Sequence, residues 1–110
     1  MATAADLRRL ALVLTGTTEA PHFYRAAFKV ARIFATMPAD GLTANLMLTP
    51  EEQEFKCLLA PKAFSPVANA WGRGGATTVT LAAVDLKELE GALRLAHAHA
   101  LPKAKTRRRR

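Results

Sequence analysis

Apolar residues follow a helical spacing at the two ends of the chain and a spacing of two in between. Near the N-terminus they recur at every third or fourth position, which predicts an amphipathic helix over about residues 3–14. Its predicted buried face comprises Leu7, Leu10, Ala11 and Leu14. Thr3 or Ala4 begins this helix and Gly16 ends it. Residues 17–21 are predicted as a loop, because Pro21 disfavours helix at the residue before it.

Between residues 22 and 48 apolar and polar residues alternate, which predicts three or four short antiparallel strands in a meander. Ala31–Arg32 is a predicted tight connection, and the Pro-Ala-Asp-Gly sequence at 38–41 is a strong turn signal. The clearest strand follows this turn. Its predicted apolar face comprises Leu42, Ala44, Leu46 and Leu48.

Two further helices have well-defined starts. Thr49 is a predicted N-cap with proline at the first helical position and Glu52 at the third, and Pro61 ends the helix. Its predicted apolar face is Phe55, Leu58 and Leu59. Asp85, with Glu88 three residues on, begins a last helix that extends to about Ala100. Its predicted buried stripe is Leu86, Leu89, Leu93 and Ala96.

The only tryptophan, Trp71, stands at the start of the only glycine cluster, 72–75. Residues 64–67 are irregular or an edge strand, because Pro66 cannot donate to a ladder. We interpret the tryptophan segment as a strand that enters a mobile hairpin loop with positive-φ glycines, followed by a strand at 77–81. Trp71 is predicted to plug the core, while Arg73 is free to meet an anionic partner. In the alternative interpretation, Trp71 lines a ligand pocket.

The order of elements predicts an α+β fold, in which the N- and C-terminal helices pack on one face of an antiparallel sheet. Residues 1–102 form one predicted domain. Residues 103–110 carry six cations and no acid, and they are predicted to be a disordered tail. These cations are Lys103, Lys105, Arg107, Arg108, Arg109 and Arg110.

The formal net charge of +7 is therefore unevenly distributed. Residues 1–102 hold ten Lys and Arg against nine Asp and Glu, so the predicted domain is nearly neutral. No apolar run approaches the roughly 20 residues of a membrane span, and the start of the chain does not resemble a signal peptide. A single cysteine excludes an intramolecular disulfide. We expect a soluble cytoplasmic protein.

The residues that usually carry catalysis are sparse. His97 and His99 lie two apart in a helix and diverge, so they do not share a metal, and His22 has no acidic cluster beside it. We interpret these as surface or helix-end histidines, and Cys57 as a half-buried helix residue. Glu19 is expected to bind loop amides. We therefore expect no catalytic site, metal or other cofactor, although a cleft joining Glu19, His22 and Cys57 would reopen the question.

Several segments, in their order along residues 4–101, resemble the MmcQ/YjbR family of small bacterial proteins. They are Leu14-Thr15-Gly16-Thr17-Thr18-Glu19, Phe28-Lys29-Val30, Ile33-Phe34-Ala35, Leu46-Met47-Leu48, Pro50-Glu51-Glu52-Gln53, and the tryptophan ahead of Thr77-Thr78-Val79. The resemblance implies a CyaY-like fold and a "double wing" DNA-binding surface built from strand hairpins. The chain departs from the family at residues 72–76, which lengthen the loop after the tryptophan, and in its arginine tail.

The resemblance in fold to frataxin-like proteins would imply iron binding through an acidic first helix. The first helix here holds Arg8, Arg9 and only Asp6 as its acid, so we do not expect iron.

We therefore expect a non-catalytic DNA-binding protein that meets phosphates through basic residues on the strand region and the tail. The candidate residues on the strand region are Arg25, Lys29, Arg32 and Arg73. Arg25 and Lys29 are four apart, which places them on one face of an unbroken strand. The alternative is a protein- or small-ligand-binding adaptor with a pocket near Trp71. The oligomeric state stays open, with a monomer favoured.

Overall fold

The computed structural model of the protein describes residues 1–102, so the predicted disorder of residues 103–110 lies outside the described residues. The elements are α1 (Ala4–Leu12), β1 (Thr18–His22), β2 (Arg25–Lys29), β3 (Ile33–Pro38), β4 (Thr43–Met47), α2 (Pro50–Leu59), β5 (Phe64–Pro66), α3 (Ala70–Arg73), β6 (Ala76–Thr80), a 3₁₀ turn (Leu81–Ala83) and α4 (Leu86–Ala100).

The strands form one six-stranded antiparallel sheet in the order β1-β2-β3-β4-β6-β5. Strands β2, β3 and β4 fall in the predicted meander, β1 precedes it, and β6 is inserted between β4 and β5. Helices α1 and α4 pack together on one face of the sheet, with α4 crossing β3 and β4. The predicted α+β architecture is confirmed. Its core joins both helices to the inner face of the sheet through Leu7, Phe28, Phe34, Leu46, Leu89 and Leu93.

The predicted helix starts are correct. Each of the three long helices begins with a capping box, in which the N-cap side chain accepts from the N3 amide and the N3 carboxylate accepts from the N-cap amide. The pairs are Thr3 with Asp6, Thr49 with Glu52, and Asp85 with Glu88. Helix α1 ends at Leu12, and Gly16 takes a positive φ of 76° in the turn that follows.

The predicted loop at residues 17–21 is wrong, because Thr18–His22 forms strand β1. All five of its residues are exposed, so the strand has no alternation of apolar and polar positions from which it could be predicted. Proline is acceptable in this strand because β1 lies at the edge of the sheet. Pro21 stands next to the hairpin-closing pair His22–Arg25, which leaves its nitrogen on the open side.

The opposite edge has the same feature. The prediction that residues 64–67 form an edge strand is confirmed by β5, which contains Pro66. The Val67 amide donates to the Ala76 carbonyl, so Pro66, one residue earlier, lies at a position that does not bond to β6. Both edges of the sheet therefore carry a proline.

The predicted apolar face of α2 is wrong. Phe55, Leu58 and Leu59 are all exposed. The half-buried residues instead follow the stripe Gln53, Lys56, Cys57 and Ala60. The reason is position, since α2 packs against β5 and β6 at one end of the sheet, whereas α4 covers the central strands β3 and β4.

Two smaller predictions of burial also fail at the ends of elements. Leu86 is exposed because it is the first residue of α4, ahead of the turns that cross the sheet. Leu42 is exposed because it belongs to the turn before β4, in which its amide donates to Asp40 Oδ1 at 3.0 Å.

Candidate functional site

A groove of about 1000 Å³ opens where α4 ends and α2 begins. Its walls come from the C-terminal turn of α4, the start of β3, the end of β4, the first residues of α2, and α3. Small residues from α4, from α3 with its C-cap, and from β6 leave the space open: Ala70, Gly74, Ala76, Ala96, Ala98 and Ala100. Trp71 and Arg32 are the largest side chains on its lining.

Trp71 is 69% exposed, so the prediction that it plugs the core is wrong. The residue that faces the protein in this turn is Gly72, which is buried. A Cβ on Gly72 would lie 1.7 Å from the Val67 carbonyl oxygen, so the backbone contact leaves no room for a side chain. Successive residues of a helical turn point about 100° apart, and Trp71 is therefore directed outward.

The segment around Trp71 is a short helix, α3, and not a strand that enters a mobile loop. Asn69 Oδ1 accepts from the Trp71 amide at 2.9 Å, which caps the turn. Gln53 Nε2 donates to the carbonyls of Gly72 at 2.8 Å and Ala76 at 2.9 Å, which ties α3 to α2. Only Gly75 of this cluster has a positive φ, at 112°. The tryptophan is therefore held in place by backbone contacts on both sides.

Beneath the groove, a polar network joins α4 to α2 and β3. His99 Nε2 lies 2.8 Å from Glu52 Oε1, and the Arg32 guanidinium donates to the His99 carbonyl at the end of α4. That carbonyl has no partner within the helix, so Arg32 supplies one of the contacts that a helix C-terminus needs. The guanidinium has five N–H donors, and this bond uses one of them.

Glu52 holds this network at the start of α2. Partial burial pushes the pKa of Glu52 upward, but the hydrogen bonds from the Thr49 amide and from His99 outweigh it and hold this pKa below its ordinary value. The Glu52 carboxylate is therefore stabilised as an anion while it serves both the α2 cap and the contact with α4.

The four predicted DNA contacts in the body of the protein lie at two ends of strand β2. Arg25 pairs with Pro38 of β3, whereas Lys29 pairs with Ile33, a residue of the groove lining. Four residues of antiparallel strand separate them by about 14 Å. The ladder between β2 and β1 is regular, so the prediction that both lie on one face of β2 holds, although β3 carries a bulge opposite Phe28 and Lys29.

Arg25 is engaged within the sheet. Its Nε donates to Thr36 Oγ1 at 2.9 Å, and its Nη2 lies 3.4 Å from the Thr36 carbonyl. It lines a second cavity, of about 560 Å³, beneath the β1–β2 hairpin.

Arg73 is exposed in α3, between Trp71 and Gly74 of the groove. Arg32 therefore lines the groove itself, Arg73 lies in α3 two residues after Trp71, Lys29 pairs with the lining residue Ile33, and Arg25 borders the other cavity.

The two-residue loop of the β1–β2 hairpin presents two aromatic side chains that the sequence analysis did not single out. Tyr24 is 95% exposed and Phe23 is 87% exposed. Phe23 also has a φ of 58°, and it is the only non-glycine residue with a positive φ in the described chain. The sequence contained a signal for this unusual turn. Phe23 and Tyr24 follow Pro21 closely, and neither is the glycine that is usual at such a position.

Ion pairs separate the arginines of residues 1–102 into two groups of three. Arg8 pairs with Glu19 at 3.0 Å, Arg9 with Asp6 at 3.3 Å, and Arg94 with Glu90 at 3.0 Å. Across that part of the chain, no carboxylate lies within ion-pair distance of the other three, which are Arg25, Arg32 and Arg73. The Glu19 contact corrects the expectation that this residue binds loop amides.

The other candidate residues lie apart from the groove or have structural partners. His97 is at the end of a helix but is buried, where Nε2 lies 2.8 Å from the Thr15 carbonyl and the ring meets Phe34 edge to face. Cys57 is half-buried as predicted, and burial raises the pKa of its thiol, which disfavours the reactive thiolate. Among residues 1–102, no three His, Cys, Asp or Glu residues gather in a way that could hold a metal ion.

Comparisons with known proteins support the fold. No family model and no curated protein matches the sequence. The structure is similar to the crystal structure of Deinococcus radiodurans protein DR2400, which contains a DUF419 domain, with a TM-score of 0.72 and 27% sequence identity. The match covers 87% of this chain and 76% of DR2400. DUF419 is related to MmcQ/YjbR, so the neighbour agrees with the resemblance at the level of fold.

Within residues 1–102, no helix is long and apolar enough to cross a bilayer.

Proposed function

We propose that this protein is a non-catalytic, cytoplasmic nucleic-acid-binding module of the MmcQ/YjbR type that contacts DNA through phosphates. The observation that carries the proposal is the division of the arginines. Those predicted to bind phosphate are the three that no carboxylate neutralises in the described chain, whereas Arg8, Arg9 and Arg94 are paired. A guanidinium without a carboxylate keeps its charge for phosphate oxygens, although Arg25 also donates to Thr36 and Arg32 to the His99 carbonyl.

The basic segment at residues 103–110 supplies the larger electrostatic contribution. Its six cations compare with a net charge of about +1 for residues 1–102. If all six met phosphates, the logarithm of the affinity would fall with the logarithm of salt concentration with a slope of about −5.4. Affinity would then drop by about three orders of magnitude between 50 and 200 mM salt.

The test is fluorescence anisotropy with a labelled 20-base-pair duplex at several salt concentrations, using the full chain. We expect the variant with all six tail cations replaced by glutamine to lose most of the slope. Arg73→Gln should reduce the slope by about 0.9, because one phosphate contact is lost. Arg94→Gln is the matched control, since Arg94 is also an exposed helical arginine but is paired with Glu90. Absence of binding by the full chain at 20 mM salt would overturn the proposal.

A second candidate function, binding of a small ligand or a protein segment, is favoured by the exposure of Trp71 on an open groove. Ligand sites in proteins are concave and lined mainly by apolar side chains, as this groove is. The dye 8-anilinonaphthalene-1-sulfonate, an apolar anion, is a suitable probe. Binding at one site per chain that Trp71→Ala abolishes, together with no affinity for DNA, would favour this function over the first.

A further inference from the structure

Helix α2 carries its large apolar residues on the side that faces away from the protein. Phe55, Leu58 and Leu59 are between 59% and 74% exposed. None of the ten residues of the helix is buried, and its half-buried side includes the more polar Gln53 and Lys56. An amphipathic helix normally turns its apolar stripe towards the core. The stripe of α2 is turned outward, so the fold of residues 1–102 leaves it uncovered.

Phe55, Leu58 and Leu59 form one patch, which we call the α2 face. They are three and four residues apart, a spacing that places side chains next to each other on a helix. With more than half of each side chain exposed, the patch covers on the order of 400 Å², and apolar patches of about 300–600 Å² on a monomer often serve in binding. Helix α2 packs against β5, the outermost strand, so the α2 face lies at the outer edge of the molecule.

Charged residues of opposite sign lie at the two ends of the α2 face. Glu51 is in the first turn of the helix, four residues before Phe55. Lys62 is in the turn that follows the helix, four residues after Leu58. Both charged residues are exposed, and neither forms an ion pair within residues 1–102. The order along the helix is therefore an acid, the apolar patch and a base.

This order is self-complementary for a second copy of the chain. When two α2 helices pack antiparallel about a twofold axis that passes between positions 56 and 57, Phe55 faces the partner's Leu58. In the same register Glu51 faces the partner's Lys62, and each contact forms twice. Parallel packing would instead bring like charges together. Residues 103–110 hold no apolar residue larger than alanine, so their composition does not match the α2 face.

We propose that the α2 face is a dimerisation surface, on which a second copy of this chain packs antiparallel, with Glu51 and Lys62 setting the register. The apolar contact drives association, whereas exposed ion pairs add little affinity and fix the orientation. A stable complex covers about 800 Å² on each partner, and the α2 face supplies about half of that area. The dimer is therefore weak, with a Kd on the order of 100 µM. It does not depend on the proposed binding of nucleic acid.

Sedimentation equilibrium of the full chain, in the absence of nucleic acid, measures the association. We expect the mean mass to rise from 11.9 kDa at about 5 µM most of the way to twice that value at about 500 µM. Leu58→Gln places an amide at the centre of the apolar contact and is expected to weaken the dimer at least tenfold. Val13→Gln is the matched control, because Val13 is 71% exposed but follows α1. It should leave the Kd within a factor of two.

Exchange of the two end charges tests the register. Glu51→Lys and Lys62→Glu each bring like charges together in the antiparallel dimer, and each is expected to weaken it about threefold. The double exchange restores opposite signs and should return the Kd to within a factor of two of that of the parent chain. Absence of this restoration would overturn the antiparallel arrangement.

Two further results would overturn the proposal. A mass of 11.9 kDa at every concentration up to about 500 µM would leave the α2 face to a protein of another sequence. A dimer that persists unchanged in Leu58→Gln would place the contact elsewhere on the molecule. All the substituted side chains are exposed, so we expect each variant to keep the circular dichroism spectrum of the parent chain. A lost dimer with an intact spectrum is then a lost contact and not a lost fold.

Discussion

The groove end and the hairpin end of this molecule both expose aromatic side chains, but they support them very differently. Trp71 stands on a four-residue helix whose backbone lies against Val67 and accepts a hydrogen bond from Gln53. Phe23 and Tyr24 stand on a two-residue turn next to an edge strand with no buried residue. Exposure alone therefore does not distinguish a binding surface. The backbone beneath the ring separates the two regions, because a segment that is already held loses less entropy when a partner arrives.

The largest effect is expected from filling the space at the base of α3. Gly72→Ala places a Cβ 1.7 Å from the Val67 carbonyl oxygen, and the backbone must move to accept it. We expect a loss of about 3 kcal/mol or more in the free energy of unfolding. Urea denaturation followed by circular dichroism measures it.

Gly74→Ala is the control within the same cluster. Its Cβ would meet nothing closer than 3.5 Å, and its φ of −85° suits any residue. We expect a change within about 0.5 kcal/mol. Equal effects of the two substitutions would contradict the account of how Trp71 is held.

Loss of the side chain that ties α3 to α2 should have the next largest effect. Gln53→Ala leaves the carbonyls of Gly72 and Ala76 without their amide donor. We expect a loss of about 1–2 kcal/mol in unfolding free energy. We also expect the Trp71 ring to become more mobile and its fluorescence emission to shift to longer wavelength. Glu54→Ala, at the exposed neighbouring position, is the control and should leave both the stability and the emission as they are.

The Glu52 network predicts a dependence of stability on pH. Because the pKa of Glu52 is lower in the folded protein than its ordinary value of 4.5, ionised Glu52 stabilises the fold above that value. This contribution is lost as the pH falls through the lower, folded pKa. We expect Glu52→Gln to reduce stability by about 1 kcal/mol at pH 7 and to flatten the acid limb of the stability profile.

Thermal unfolding at pH 7, 5, 4 and 3 measures this profile. Glu51→Gln is the matched control, since Glu51 is exposed on the same turn and does not bond to His99. An acid limb that is the same in Glu52→Gln as in the parent chain would show that the network does not link α2 to α4.

The smallest effect is expected at the hairpin, and its sign is opposite. Phe23 takes a positive φ that a side chain disfavours, so Phe23→Gly relieves strain while increasing the freedom of the unfolded chain. The relief of strain exceeds the entropic cost of glycine, so we expect a net gain of about 0.5 kcal/mol in unfolding free energy. Tyr24→Gly, at the adjacent residue without a positive φ, should give no gain in the same denaturant titration.

Much of the fold could be predicted because its signals are local. The three capping boxes depend on residues three apart in sequence, and the inner strands and α4 lie over one core, so their periodicity records burial directly. The errors fall where burial is decided by distant parts of the chain. Phe55 has the right spacing for a buried face, but α2 packs against β5 and β6 at one end of the sheet and turns this residue to solvent.

The site was predictable only in part. The arginines without a carboxylate partner were identified from their positions along the strand region. Their separation depends on strand pairing, which places Arg25 and Arg32 at opposite ends of the β2–β3 hairpin. The sequence predicts that Trp71 plugs the core, with a ligand pocket as the alternative, and the residue is exposed. Its outward direction follows from the close approach of Gly72 to Val67, which no local pattern reveals.

The proline in each edge strand also limits how this protein recognises others. A peptide that extends a sheet needs a continuous row of free amides along an edge strand, and Pro21 and Pro66 each remove one of them from a row only a few residues long. Strand addition and edge-to-edge fibre growth are therefore disfavoured on both sides. Side chains, rather than the sheet edges, are therefore the groups that this fold leaves free to meet a partner.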